Sequence, residues 1–175
     1  MRNARVCQTP NARPARPPRQ LNEMAEAKAI IVQPGSGKDL HLFGDVISVL
    51  LGGEQTGGTL TVMLGSAPPG GGPPPHLHTN EDELFLVIEG RISYFANDCW
   101  TEIGPGGAIY LPRGVVHSFR NIGTTPSKHW LIATPSGLEK FFGDCADEFG
   151  KAGGPNMNRI VEIGHEHGIQ FVEKT

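Results

Sequence analysis

The sequence predicts an all-β domain of short antiparallel strands, arranged as two facing sheets or a closed barrel, with two short helices at its C-terminal end. Three observations carry this reading. Gly and Pro together make 24 + 15 = 39 of 175 residues, and they fall between short apolar runs rather than in one low-complexity block. Those runs are rich in Val, Ile, Leu, Thr and Phe, the residues that fit a pleated, half-buried surface. They also number eight, enough for two facing sheets or for a barrel that leaves no open edges.

Residues 1–24 read as a Pro/Arg-rich tail without a packed fold. Arg2, Arg5, Arg13, Arg16 and Arg19 lie there with Pro10, Pro14, Pro17 and Pro18. The tail has no apolar core of a secretory signal, and its prolines oppose an amphipathic transit helix. Met24 is an alternative start of the chain. Residues 25–135 are expected to form the barrel. Its candidate strands are 29–33, 45–51, 59–65, 84–89, 91–96, 107–111, 117–122 and 128–134. Residues 136–175 are expected to form a helical extension packed on it. Ser136 and Glu139 match a capping box, and Leu138, Phe141 and Phe142 follow at helical spacing. A second helix is placed over Asn156–His167, ended by Gly168 in the left-handed conformation.

Charge and cysteine content narrow the function. The first 22 residues hold five Arg and no acid, so the remainder carries 10 − 18 = −8. That balance argues against a nucleic-acid surface on the folded part. No apolar run approaches the ~18 residues of a membrane helix. Cys7, Cys99 and Cys145 are distant from one another and form no CxxC pair. A cytoplasmic location fits best.

The chemistry concentrates in Gly70–Glu83, where three glycines and three prolines precede His76-Leu77-His78. In an extended strand, residues two apart point to one face, so His76 and His78 present two imidazoles side by side. Glu83 follows a polar turn and is placed to fold back as an oxygen ligand. A third imidazole has to come from a distant strand, and His117, after the turn Pro112-Arg113-Gly114, is the candidate. Glu81 and Asp82 are expected to be solvated turn residues. His41 and His129 have no motif around them. His165-Glu166-His167 is a second HxH, but it falls on a helix, where residues two apart diverge. Cys99 is placed in a hairpin turn, and Phe85, Val87 and Phe119 in the barrel interior.

At these positions the sequence resembles the cupin superfamily. Gly70, His76, His78, Glu83 and Gly90 fill its first signature; Gly106, Pro112, Gly114, His117 and Asn121 fill its second. The resemblance implies a double-stranded β-helix, or jelly-roll barrel, and assigns His76, His78, Glu83 and His117 as ligands of one divalent transition metal: Mn, Fe, Co, Ni, Cu or Zn. It implies structural roles for the glycines, Pro112 and Asn121. Within the superfamily the chain is most similar to single-cupin proteins grouped with quercetin 2,3-dioxygenase. That similarity implies a dioxygenase acting on a flavonol-like or other enolisable hydroxylated small molecule, with Glu83 as proton acceptor and dioxygen as co-substrate. A metal-dependent isomerase or lyase is the alternative enzyme class, and a non-enzymatic small-molecule-binding cupin the alternative outside catalysis. Neither nucleic acid nor membrane is an expected partner. A homodimer is expected by analogy, through segments 29–33 and 45–51.

Overall fold

The structure is a computed structural model, and it describes residues 28–172. The proposed tail, residues 1–24, lies outside the described residues. Eleven strands and three helices follow in the order β1 (Lys38–Leu42), β2 (Asp45–Leu51), α1 (Gly53–Thr56), β3 (Thr61–Ala67), β4 (His76–His78), β5 (Asp82–Glu89), β6 (Ile92–Ala96), β7 (Cys99–Ile103), β8 (Ala108–Leu111), β9 (His117–Asn121), β10 (Ser127–Thr134), α2 (Leu138–Phe149), α3 (Met157–Glu166) and β11 (Ile169–Phe171).

These strands form two antiparallel sheets, ordered β1-β2-β3-β10-β5-β8 and β11-β4-β9-β6-β7. Strict alternation sets which side chains turn inward. Along β5, Glu83, Phe85 and Val87 are buried while Leu84 and Leu86 are only partly so. Along β10, Ser127, His129, Leu131 and Ala133 are buried. The interior between the sheets is closed by Met63, Phe85, Ile92, Tyr94, Phe119 and Leu131. Truncating one such side chain to Ala costs about 2–5 kcal/mol, because both transfer energy and packing are lost.

Seven of the eight expected strands are present within a few residues of their predicted ends. Segment 29–33 is the exception and forms no strand. Its Ile-Ile-Val run has strand propensity, but propensity acts only through cross-strand neighbours, and none pairs with it among the described residues. The first strand is β1, whose register runs from Lys38 opposite Val49 to Leu42 opposite Asp45. Cys99 begins β7 instead of sitting in a turn. The turn is Asn97-Asp98, both at positive φ, as a two-residue hairpin requires.

Both C-terminal helices form. The cap of α2 is not Ser136 but Gly137, at φ 143. Glu139 does reach back, accepting from the Gly137 N–H at 2.9 Å, and its other oxygen accepts from the Gly53 N–H at 2.8 Å. The side chain thus ties α1 to α2. Asn156 caps α3 by accepting from the Asn158 and Arg159 amides, and Gly168 takes the left-handed turn at φ 77. The chain then returns as β11, which pairs with β4 so that Ile169 faces His78 and Phe171 faces His76. Of the second HxH, His165 is exposed, and Nε2 of His167 lies 2.7 Å from Asp144 Oδ2.

Two devices hold the glycine-rich segment over the barrel. Asn121 donates to the carbonyls of Ala67 at 2.9 Å and Thr125 at 2.8 Å, and its Oδ1 accepts from the Gly123 amide. Its backbone exchanges hydrogen bonds with Gly70 and Gly71. At Gly72, φ is 142 and a Cβ would stand 2.0 Å from the Phe119 carbonyl oxygen. No other residue fits there.

Candidate metal centre

His76, His78, Glu83 and His117 converge between the sheets. One potential ligand atom from each lies within 4.8 Å of all the others. The three histidines descend from the five-stranded sheet and Glu83 from the six-stranded one. His76 and His78 share a face of β4, as strand alternation requires, and His76 is the direct cross-strand neighbour of His117 in β9. The ring centroids are 4.4 Å apart for His76–His117, 5.1 Å for His76–His78 and 5.3 Å for His78–His117.

Two of the rings are held from behind. Nδ1 of His76 donates to the Pro74 carbonyl at 2.8 Å, and Nδ1 of His117 donates to the Val115 carbonyl at 2.9 Å. Both Nε2 atoms therefore turn their lone pairs toward the centre. There Glu83 Oε2 lies 2.8 Å from His117 Nε2 and 3.3 Å from His78 Nε2. None of these atoms has a hydrogen-bond partner of good geometry, although all are buried. Lone pairs of nitrogen and oxygen crowded together, without protons between them, are the donor set of a cation. The cluster fits a divalent metal site, and three imidazoles with one carboxylate suit Mn, Fe, Co, Ni, Cu and Zn alike.

The electrostatics agree. Burial raises the Glu83 carboxyl, but the fields of the neighbouring His78, His117 and His76 rings outweigh it and hold the group at about 2. Burial, reinforced by the neighbouring His117 and His78, pushes His76 down to about 3. Glu83 is thus the anion and His76 the neutral imidazole that metal binding needs.

Some neighbours differ from expectation. Glu81 is buried rather than solvated, with Oε2 3.6 Å from Nδ1 of His78. It stands behind that ring where His76 and His117 have backbone carbonyls. Asp82 is tied down by Arg113, whose backbone amide and Nε both donate to Oδ1 at 2.9 Å. This pair pins the Pro112-Arg113-Gly114 turn, and the Gly114 amide donates to the His78 carbonyl at 2.7 Å.

The centre opens onto a cavity of about 60 Å³. Phe85, Phe119, Leu131, Phe141, Phe142 and Phe171 are among the apolar side chains of its wall. Two further polar residues border it, Asp45 and His129. In the sequence, His129 has no motif around it and Asp45 is not singled out. Each sits at an inward position of an alternating strand, and inwardness was the only signal available. Burial lifts the Asp45 carboxyl to about 7 and lowers the His129 imidazole to about 4.

A cupin domain model matches residues 63–133, which hold all four residues of the cluster. The chain is 25% identical over 132 residues to quercetin 2,3-dioxygenase of Bacillus subtilis (strain 168), covering 74% of this chain and 39% of that one. The chain therefore spans well under half the length of that relative. Among solved structures, KdgF from Halomonas sp. superimposes with a TM-score of 0.58 at 14% identity, covering 65% of this chain and 99% of that one. The polyketide cyclase RemF from Streptomyces resistomycificus gives 0.54 at 23% identity, covering 62% and 81%. Two facing antiparallel sheets, two spaced Gly/Pro/His segments and these likenesses lead to one assignment: residues 63–133 form a cupin domain, on a fold shared with cupin-superfamily structures.

Proposed function

We propose that His76, His78, Glu83 and His117 bind one divalent transition metal, and that the protein is a dioxygenase acting on a flavonol-like or other enolisable hydroxylated small molecule. The observation that carries this reading is the placement of the cluster at a cavity walled by aromatic and aliphatic side chains. No Lys or Arg is among the described residues lining that cavity. Such a wall suits an uncharged, flat ligand and gives nothing to a phosphate or a sugar acid. The likeness to a quercetin 2,3-dioxygenase supports the same substrate class.

A divalent metal held here supplies Lewis acidity toward a substrate hydroxyl and, for the redox-active ions, electron exchange with dioxygen. The chain supplies the rest. Phe85 and Phe119 flank the ligand space and exclude water, and the carbonyls of Pro74 and Val115 fix the imidazoles. Glu83, anionic and buried, is positioned to accept the proton of a hydroxyl presented to the cluster.

A second reading, a non-oxidative isomerase or lyase, is favoured by one observation. Asp45 is a cavity carboxyl that burial brings to about 7, where it can both give and take a proton. Oxygen-electrode measurements with quercetin separate the two, using the protein loaded in turn with Mn, Fe, Co, Ni and Cu. The dioxygenase reading expects oxygen uptake stoichiometric with flavonol loss. Flavonol loss without oxygen uptake would favour the second, and no reaction with any loaded form overturns the first.

A further inference from the structure

A second polar region lies on the inner face of the six-stranded sheet. His129 in β10 is 1% exposed, and neither of its ring nitrogens has a hydrogen-bond partner. Asp45 in β2 is 7% exposed, and its Oδ1 is likewise without one. Both residues border the cavity that holds the His76, His78, Glu83 and His117 cluster. A buried imidazole in a folded protein normally satisfies at least one nitrogen.

The strand between them makes room. β3 separates β2 from β10, and the inward residues it places there are Gly65 and Ala67. Gly65 is the register partner of both Ile47 and His129. A Cβ at Gly65 would stand 2.4 Å from His129 Nε2. Only glycine lets the imidazole lie over the sheet at this point. Phe85 and Phe119 hold the ring edge-on, with centroids 5.2 and 5.0 Å away. Gly71 also approaches Asp45, since a Cβ there would stand 3.0 Å from Oδ1, after Pro68 at 2.8 Å. The sheet is built around two polar groups that the protein itself leaves without partners.

We propose that Asp45 and His129 form a second polar subsite of the cavity, which hydrogen-bonds a hydroxyl group of an uncharged aromatic ligand. This rests on the reading of the cavity as the substrate site, but not on any reaction there. A neutral imidazole carries one donor and one acceptor, the complement of a hydroxyl. Burial keeps His129 neutral above about 4. Asp45 accepts when ionised and donates when protonated, so it serves a hydroxyl in either state. The apolar remainder of the wall selects an aromatic body.

The test uses the full-length, zinc-loaded protein and two probes of equal size, phenol and toluene, measured by calorimetry. In a purely apolar cavity toluene binds more tightly, since phenol gives up its hydrogen bonds to water. The subsite reverses this order, and phenol is expected to bind about ten-fold more tightly than toluene. His129→Leu and Asp45→Leu should each bring the ratio down to about two-fold or less with zinc content unchanged. His129→Gln, which keeps a donor and an acceptor, should retain it and shows that the fold tolerates change at this site. Toluene binding more tightly than phenol, or binding of neither probe, overturns the proposal. So does a phenol preference that survives in the His129→Leu/Asp45→Leu double variant, because the hydroxyl is then held by zinc. None of these readouts requires turnover, so a failed oxygen-uptake assay leaves the result standing.

Discussion

Oε2 of Glu83 lies 2.8 Å from Nε2 of His117, although the two side chains descend from opposite sheets. The His117 ring gives its Nδ1 proton to the Val115 carbonyl, so the facing nitrogen brings a lone pair to an anionic oxygen. That contact is repulsive until a cation stands between them. Zinc or manganese should therefore raise the unfolding temperature well above that of chelator-treated protein. His117→Ala should lose most bound metal in elemental analysis and abolish the rise. An equal metal content in wild type and variant would remove His117 from the site.

Glu81 stands behind His78 as the backbone carbonyls stand behind the other two rings. Glu81→Gln removes the charge and keeps the shape. Zinc affinity, measured by competition with a chromogenic chelator, should fall about ten-fold or more, in line with the loss of a partner behind a ligating ring. An unchanged affinity would show that Glu81 is buried for packing alone.

His129 and Asp45 give metal-free protein opposite pH dependences. The folded His129 titrates at about 4 against an ordinary 6.5, so the unfolded chain takes up the extra proton between those values. Its contribution is present above 6.5 and lost as pH falls toward 4, about 3 kcal/mol in all. Asp45 titrates at about 7 against 3.8. It costs stability as pH rises through that window, by roughly 1 kcal/mol once screening at the cavity mouth is allowed for. In urea denaturation, His129→Leu should flatten the loss between pH 6.5 and 4. Asp45→Asn should stabilise the protein at pH 8. Parallel pH curves for wild type and His129→Leu would contradict this account.

The Asn121 side chain ties the turn at Gly123 and Thr125 to the Ala67 carbonyl through three hydrogen bonds, while its backbone holds Gly70 and Gly71. Asn121→Ala removes the side-chain partner of the Thr125 carbonyl and the Gly123 amide, and leaves the buried Ala67 carbonyl only the Ser127 hydroxyl at 3.5 Å. A loss of about 3 kcal/mol is expected in chemical denaturation, with metal affinity falling less than in His117→Ala. A loss below about 1 kcal/mol would mean that water replaces the amide.

Sequence alone determined which faces the key residues occupy. Strand period is a local property of the backbone, so His76 and His78 had to share one side wherever β4 came to lie. The spaced glycines and prolines between Gly70 and Asn121 likewise marked turns whose backbone few other residues adopt, and with His76, His78, Glu83 and His117 they made the cluster legible before any fold was known. The tertiary structure decided what lies across from each face. Periodicity shows that Asp45 and His129 alternate with outward residues, but Glu81 reads as a solvated turn residue, with nothing local to show that it would back His78. Nor does periodicity show that Gly65 and Ala67 would leave space between Asp45 and His129. The same limit explains the Ile-Ile-Val run at 30–32, which has strand propensity and no strand to pair with, and Ser136, whose capping place went to Gly137. Local chemistry sets direction and turn; the partner across the gap comes from chain segments far away in sequence, and only their packing supplies it.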